Sequence, residues 1–277
     1  MKANKVIDGF GEEWARFSYS HKPTPEIIEQ FQRYMNPVPQ NFLNSESTVA
    51  ADFGAGSGRW AELLADKVSK LYVVEPSSQI IPFLKNRFSN IRNVEILNTR
   101  IEEALIPAAT LDFAMSLGVL HHIDDTQSSI AKIFTFLKPG GLFLGYMYYD
   151  LSNKPLYYKV IWRATNMVRL AISRLPKLLK LVACELIALF IYWPLSRFSR
   201  LVSKIGLQVK NLPLHQYSDQ SLYMLRNDAL DRFGTILEKR YSKDQIRALL
   251  VKAGADPNSI QFSDLEPFWT FIAKKPF

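Results

Sequence analysis

Between Thr48 and Tyr146, short apolar runs alternate with stretches of helical spacing. The runs are Val49–Phe53, Leu71–Glu75, Val94–Asn98, Leu111–Ser116 and Leu142–Tyr146, and Trp60–Val68, Ser78–Phe88 and Thr126–Leu137 separate several of them as helices. Strands alternating with helices in this way predict right-handed βαβ units and a parallel sheet. The 45 residues ahead of it are polar and aromatic, with prolines at 23, 25, 37 and 39. They read as one or two helices joined by loops, with Pro25 in the first turn of a helix over Glu26–Tyr34.

The pattern breaks at residues 151–210, which Pro155, Pro176 and Pro194 cut into two or three helical pieces. In the first piece Val160, Ala164, Met167, Val168, Ala171 and Leu175 fall at helical spacing, while Lys159, Arg163, Asn166 and Arg169 lie mostly elsewhere on the wheel. That is an amphipathic basic helix. The stretch from Lys210 to Gly234 is irregular. Ser242–Ala253 reads as a helix with Ser242 as N-cap, Gln245 as its capping-box partner and Gly254 as stop. Ser259–Ser263 and Phe268–Ala273 look like a terminal hairpin. No internal repeat or low-complexity tract is evident.

At 277 residues, with 48% hydrophobic and 22% charged residues, the composition excludes a disordered chain. The single cysteine, Cys184, excludes an internal disulfide framework and a cysteine-based zinc site, and reads as inert core. The net charge of +8 is localised. Residues 151–210 hold 11 Lys or Arg and one acid, Glu185, leaving 23 basic and 25 acidic residues elsewhere, a net of −2. Met1–Gln40 lacks an apolar signal region and carries Asp8, Glu12 and Glu13. Leu178–Leu195 contains Lys180 and Glu185, short of the roughly 20 clean apolar residues of a spanning helix. A cytoplasmic location is the expectation.

The strongest chemical signal is Asp52-Phe53-Gly54-Ala55-Gly56-Ser57-Gly58, which follows an apolar run and opens a helix. A glycine loop there brings backbone against a nucleotide-like ligand, and Glu75, at the end of the next run, can accept hydrogen bonds from both ribose hydroxyls. A dinucleotide fingerprint would need its third glycine at 59, which is Arg59.

With these residues the sequence resembles the class I S-adenosylmethionine-dependent methyltransferases, strongly over Val49–Tyr146 and more weakly over Ser242–Ala273. Asp52–Gly58 is similar to the family's first motif and Glu75 to its ribose-binding acid. Asp112–His122 is similar to the fourth-strand motif of the small-molecule branch, and Leu137-Lys138-Pro139-Gly140-Gly141 to the turn before the fifth strand. The resemblance implies a Rossmann-like seven-stranded mixed sheet, its last strand antiparallel, with helices on both faces and a helical insertion. It divides the chain into an N-terminal lid at 1–47, a core at 48–150 with 234–277, and a basic helical cap at 151–233.

The implied cofactor is S-adenosyl-L-methionine, leaving as S-adenosyl-L-homocysteine. The implied contacts are Asp52, Gly54, Ala55, Gly56, Gly58, Glu75, Pro76, Arg100, Ile101, Glu102 and Leu117. Where the family often has an acid for the adenine amine, this chain has Arg100, so that contact falls to backbone at Arg100 and Ile101 or to Glu102. The methyl group of a sulfonium is already electrophilic, so the protein mainly aligns a nucleophile, and a weak base removes the proton of an acidic hydroxyl.

His121 and His122, at the carboxyl edge of the fourth strand, are the candidate bases; the other reading is that they only hold their loop. With Asp124 and Asp125 they also suggest metal, but adjacent loop residues fit one ion poorly, and no metal is expected. Tyr146, Tyr148 and Tyr149 form a candidate aromatic acceptor wall, and Trp14 and Phe17 a candidate cover for adenosine or acceptor. Simple packing is the alternative for all five.

Three readings compete for residues 151–210: a helical cap with its apolar face down, peripheral contact with an anionic membrane, and a polyanion such as nucleic acid. Against nucleic acid, Ser116-Leu117-Gly118-Val119 stands where base-amine methyltransferases carry Pro-Pro-aromatic, and Ala183, not proline, precedes the cysteine. The expected activity is methylation of a small or lipid-like acceptor, at oxygen before nitrogen or carbon. The alternatives are a binding protein that keeps the cofactor pocket and docks a membrane or partner through its basic helices, and, behind it, a nucleic-acid methyltransferase.

Overall fold

The computed structural model describes residues 2–18, 24–152, 154–209, 212–263 and 268–277; Pro23 and Lys210 lie outside them. Chain contacts separate two units, residues 1–150 with 239–277 and residues 151–238. The second boundary lies five residues later than the sequence pattern places it. Arg169 Nη1 donates to Thr235 O (2.8 Å) and Arg232 pairs with Glu238 (2.5 Å), tying 234–238 to the insertion.

In the first unit, strands β1 (Val49–Phe53), β2 (Lys70–Val74), β3 (Val94–Leu97), β4 (Leu111–Leu117) and β5 (Leu137–Tyr148) are joined by β6 (Gln261–Phe262) and β7 (Phe268–Lys274). They form a seven-stranded sheet in the order β3-β2-β1-β4-β5-β7-β6. β1 to β5 pair parallel, and β7 runs antiparallel to both β5 and β6. Helices α1 (Lys2–Arg16), α2 (Pro25–Met35), α3 (Arg59–Ala65), α4 (Ile81–Arg87) and α5 (Thr126–Phe136) complete its first 150 residues. The apolar runs are buried on both faces of the sheet except at the edge strand β3, whose residues are half-buried or exposed, and Phe53, Phe113, Phe136, Phe143 and Phe271 are fully buried. Ser242 and Gln245 close the expected capping box on α10 (Lys243–Lys252), and Pro25 opens α2 behind an N-cap, Thr24, whose Oγ1 accepts from Ile27 N.

Leu137–Gly141 is not a turn ahead of the fifth strand. Leu137 already pairs with Leu111, and the register shifts before Phe113 meets Leu142, so this segment is a bulge inside β5.

In the second unit, α6 (Leu156–Ile172), α7 (Lys177–Ile187), a π-helical turn (Ala188–Tyr192), α8 (Trp193–Lys204) and α9 (Leu222–Gly234) pack on one another. Three expectations are corrected here. Pro194 does not cut the chain: it sits in the first turn of α8, where its missing N–H follows the widened π turn, and Lys177–Lys204 is one 28-residue helix. The irregular stretch contains α9, capped by Ser221 Oγ; its buried set includes Asn227, which blurs the apolar period. Finally, α6 does not place its apolar side down. Val160, Ala164, Met167, Val168, Ala171 and Leu175 are exposed, whereas Arg169 is buried and bonded to Asn166 Oδ1 and Thr235 O.

Candidate functional site

The strand order reverses between β1 and β4, and in such sheets ligands bind beyond the carboxyl ends of the strands at that point. The glycine loop leaves β1 there. Gly54, Gly56 and Gly58 adopt φ of +79°, +54° and +77°, the left-handed region that side-chain-bearing residues rarely enter. Added Cβ atoms would lie 2.5 Å from Val119 at Gly54 and 2.8 Å from the Trp14 indole at Gly56. Backbone must approach closely here. Glu75, at the end of β2, accepts Gly56 N–H at Oε2 and Ser77 N–H at Oε1, both at 2.8 Å. The loop and the acid are thereby locked into one unit.

Asp52, one position before the end of β1, is buried beside Glu75. Burial first, and then the Glu75 charge, raise its pKa to about 8, and its Oδ2 has no hydrogen-bond partner. Burial also raises Glu75, against the lowering effect of its two backbone N–H donors. A buried carboxylate with a vacant oxygen suits a cation, and Glu75 keeps further lone pairs for hydroxyl groups. These residues fit a nucleoside carrying a positively charged amino acid tail.

Of the other expected contacts, Ala55, Ile101 and Leu117 are buried and Pro76 and Arg100 half-buried near the strand ends. Glu102 Oε1 takes a hydrogen bond from Ser129 Oγ of α5, so one of its two carboxylate oxygens is engaged there.

Over the loop lies α1. Its Trp14 ring covers Gly56, Gly11 lies against Ser77, and Phe10 sits 4.8 Å from the His122 ring. Phe17, in contrast, is core, only 2% exposed.

His121 and His122 follow β4 in a short 3-10 turn (Leu120–His122), held by Thr126 Oγ1 donating to Leu120 O and by Lys239 N donating to His121 O. His121 is fully buried, stacked 3.9 Å from Tyr148, and neither of its ring nitrogens has a hydrogen-bond partner. Burial, then His122 and Arg240, push its pKa well below 6.5, so the ring is neutral at neutral pH. Asp125 is used as the N-cap of α5.

Tyr146 and Tyr148 stand on the same face of β5, 5.9 Å apart, and Tyr34 of α2 stacks on Tyr146 at 5.5 Å. Tyr149 does not join this wall: it is buried edge-on against Trp269 of β7. The sequence reading missed Tyr34, which only the packing of α2 brings here. It also missed residues 239–241, whose Arg240 Nη1 donates to Tyr149 O and whose Tyr241 N donates to Tyr148 O.

A family model described as a methyltransferase domain matches residues 51–145. Residues 51–145 thus match a methyltransferase domain, and the sheet they build has the fold of class I S-adenosylmethionine-dependent methyltransferases. The match takes in the glycine loop, Glu75 and both histidines. An uncharacterised methyltransferase of Mycobacterium tuberculosis is 27% identical over 117 residues, 42% of this chain and 59% of that protein. The chain therefore matches less than two thirds of that relative's length. Ribosomal RNA small subunit methyltransferase A of Alkaliphilus metalliredigens is 26% identical over 94 residues, 28% of this chain.

Among solved structures, a Thermotoga maritima SAM-dependent methyltransferase, titled a possible histamine N-methyltransferase, superposes with a TM-score of 0.52 at 15% identity. That alignment covers 99% of both chains. Human N-acetylserotonin methyltransferase, in complex with SAM, superposes at 0.50 with 14% identity over 99% of this chain and 56% of that one. At such identities the likeness is one of fold.

The methyltransferase domain gives Asp52 a pH signature. A carboxyl with a folded pKa of about 8 is protonated below that pH, and pairing it with an ammonium group ionises it. Binding of S-adenosylhomocysteine between pH 6 and 8 then releases a proton, and affinity rises with pH by up to about tenfold per unit before levelling near 8. In the ligand-free protein the sign is the opposite. Stability falls as pH climbs from the unfolded carboxylate range towards 8, because only the unfolded chain ionises freely. Calorimetry in buffers of different ionisation enthalpy measures the released proton, and Asp52→Asn abolishes it.

Proposed function

We propose that this chain transfers a methyl group from S-adenosylmethionine to a hydroxyl oxygen of a small or lipid-like acceptor. The observation that carries the reading is the glycine loop locked by Glu75 beside the vacant oxygen of Asp52, at the carboxyl ends of β1 and β2. Bound there, the cofactor supplies a methyl group already activated by positive sulfur. Glu75 holds the ribose hydroxyls, Asp52 the ammonium group, and Trp14 excludes water from the loop.

The neutral His121 favours oxygen over nitrogen. An amine already offers a lone pair, whereas a hydroxyl becomes a good nucleophile as its proton leaves, and an unprotonated imidazole without another partner can take that proton. The Tyr34, Tyr146 and Tyr148 rings give an acceptor an apolar, planar surface beside that base.

The test is turnover with radiolabelled S-adenosylmethionine and the lipid and small-molecule fractions of a cell extract. Label transferred into a product that resists mild acid and carries a methoxy group supports the reading; no transfer, or transfer to nitrogen, overturns it. His121→Ala lowers kcat by about 10²–10⁴-fold with KM for S-adenosylmethionine little changed, the loss expected of a missing general base.

A further inference from the structure

The second unit turns apolar side chains outward over two helices. Along Lys177–Lys204, Cys184, Ala188, Tyr192, Ser196 and Ser199 form a buried stripe, and this helix packs on α9. A second stripe, Val182, Leu186, Phe190, Pro194, Phe198 and Leu201, is exposed throughout, with Phe190 at 72%. Its spacing of three and four residues stays in line across the π turn. The outward residues of α6 add Val160, Met167 and Val168.

Charge is arranged around this surface. From residue 181 to 196 the only charged side chain is Glu185, which is paired with Arg226 of α9 at 2.6 and 2.9 Å. Cations gather at the two ends, Arg174, Lys177 and Lys180 before the stretch and Lys204 after it, beside Arg197, which donates to Ser218 O and Gln220 O, and Arg200, which pairs with Asp219. The Arg197 guanidinium stacks 3.9 Å over Trp193. An apolar strip of several turns with basic ends and a tryptophan complements a lipid surface, whose interior takes the strip and whose anionic headgroups take the cations.

The helix is long and apolar enough to cross a membrane by length and composition. Its buried stripe nevertheless packs on α9, which carries Arg226, Asp228, Asp231 and Arg232. Spanning would strip α9 away or draw those charges into hydrocarbon.

We infer that the second unit is a monotopic membrane-docking module, which lays Lys177–Lys204 and the outward face of α6 in the plane of an anionic bilayer. The occupant of the exposed face is lipid rather than a second copy of this chain, because a like surface would set the exposed cations Arg163, Arg174, Lys177 and Lys204 of one copy against the same cations of the other.

The test is co-sedimentation of the full chain with phosphatidylcholine vesicles, with and without phosphatidylglycerol, at low and high salt. Binding to anionic vesicles that falls with salt is expected. Phe190→Glu with Phe198→Glu abolishes it, and Arg163→Glu, Arg174→Glu and Lys204→Glu together reduce it by about 100-fold or more, at roughly 1 kcal/mol per cation. All of these residues are exposed, and each variant should keep its circular dichroism and its affinity for S-adenosylhomocysteine. That separates failure of docking from failure of the methyltransferase reading.

Quenching of Phe190→Trp by lipids brominated along the chain places the residue near the headgroup boundary. Quenching strongest at the bilayer centre overturns the in-plane arrangement. Absence of binding to anionic vesicles overturns the inference, as does binding indifferent to the paired glutamates, or a stable dimer that those glutamates dissociate.

Discussion

Replacing Gly56 by valine weakens S-adenosylhomocysteine binding at least about 100-fold, equivalent to about 2.7 kcal/mol, while the chain stays folded. Three effects combine at this position. The φ of +54° is disfavoured for a β-branched residue. A Cβ would meet the Trp14 indole at 2.8 Å, so the side chain that covers the loop must leave it. The Gly56 N–H that donates to Glu75 Oε2 shifts with the backbone, and the acid proposed to hold the ribose loses one of its two backbone donors. Trp14 belongs to an outlying helix and can move, so the cost falls on the site more than on the core. Calorimetry, with circular dichroism as the control, measures this.

Gly145→Val has the largest effect on stability. Gly145 lies in β5 directly opposite Phe271 of β7, and its Cβ would sit 2.3 and 2.6 Å from that ring. Phe271 has nowhere to go: it is fully buried between Phe143 and Phe262, each ring 5.9 Å away. Overpacking of this kind costs about 3 kcal/mol, the upper end of its usual range. In a chain of this size that lowers Tm by roughly 6–12 °C. Adding Phe271→Leu, which shortens the opposing side chain, recovers part of the loss. A thermal melt that does not distinguish Gly145→Val from the parent contradicts the packing described.

The parallel sheet and the glycine loop were legible in the sequence because both rest on local signals, a run of apolar residues and a turn that only glycine enters easily. Glu75 was legible for the same reason, through its distance from the loop. What escaped depends on contacts between distant segments. Tyr149 is drawn from the expected acceptor wall by Trp269, 120 residues later. The bulge at Leu137–Gly141 follows from a register shift against β4 that no single-strand pattern encodes.

The insertion gave the sharpest departure. A helical wheel separates apolar from polar residues but does not say which side faces inward. On α6, Arg169 is buried through its bonds to Asn166 and Thr235 while Val160 and Met167 face out. The net charge of +8 thus belongs to a segment whose apolar surface is also on the outside.

Titration calorimetry of the full chain with S-adenosylhomocysteine tests the central claim most directly. The account predicts a single site with a dissociation constant in the micromolar range, lost in Gly56→Val. No heat of binding from folded protein between pH 7 and 8 would contradict it.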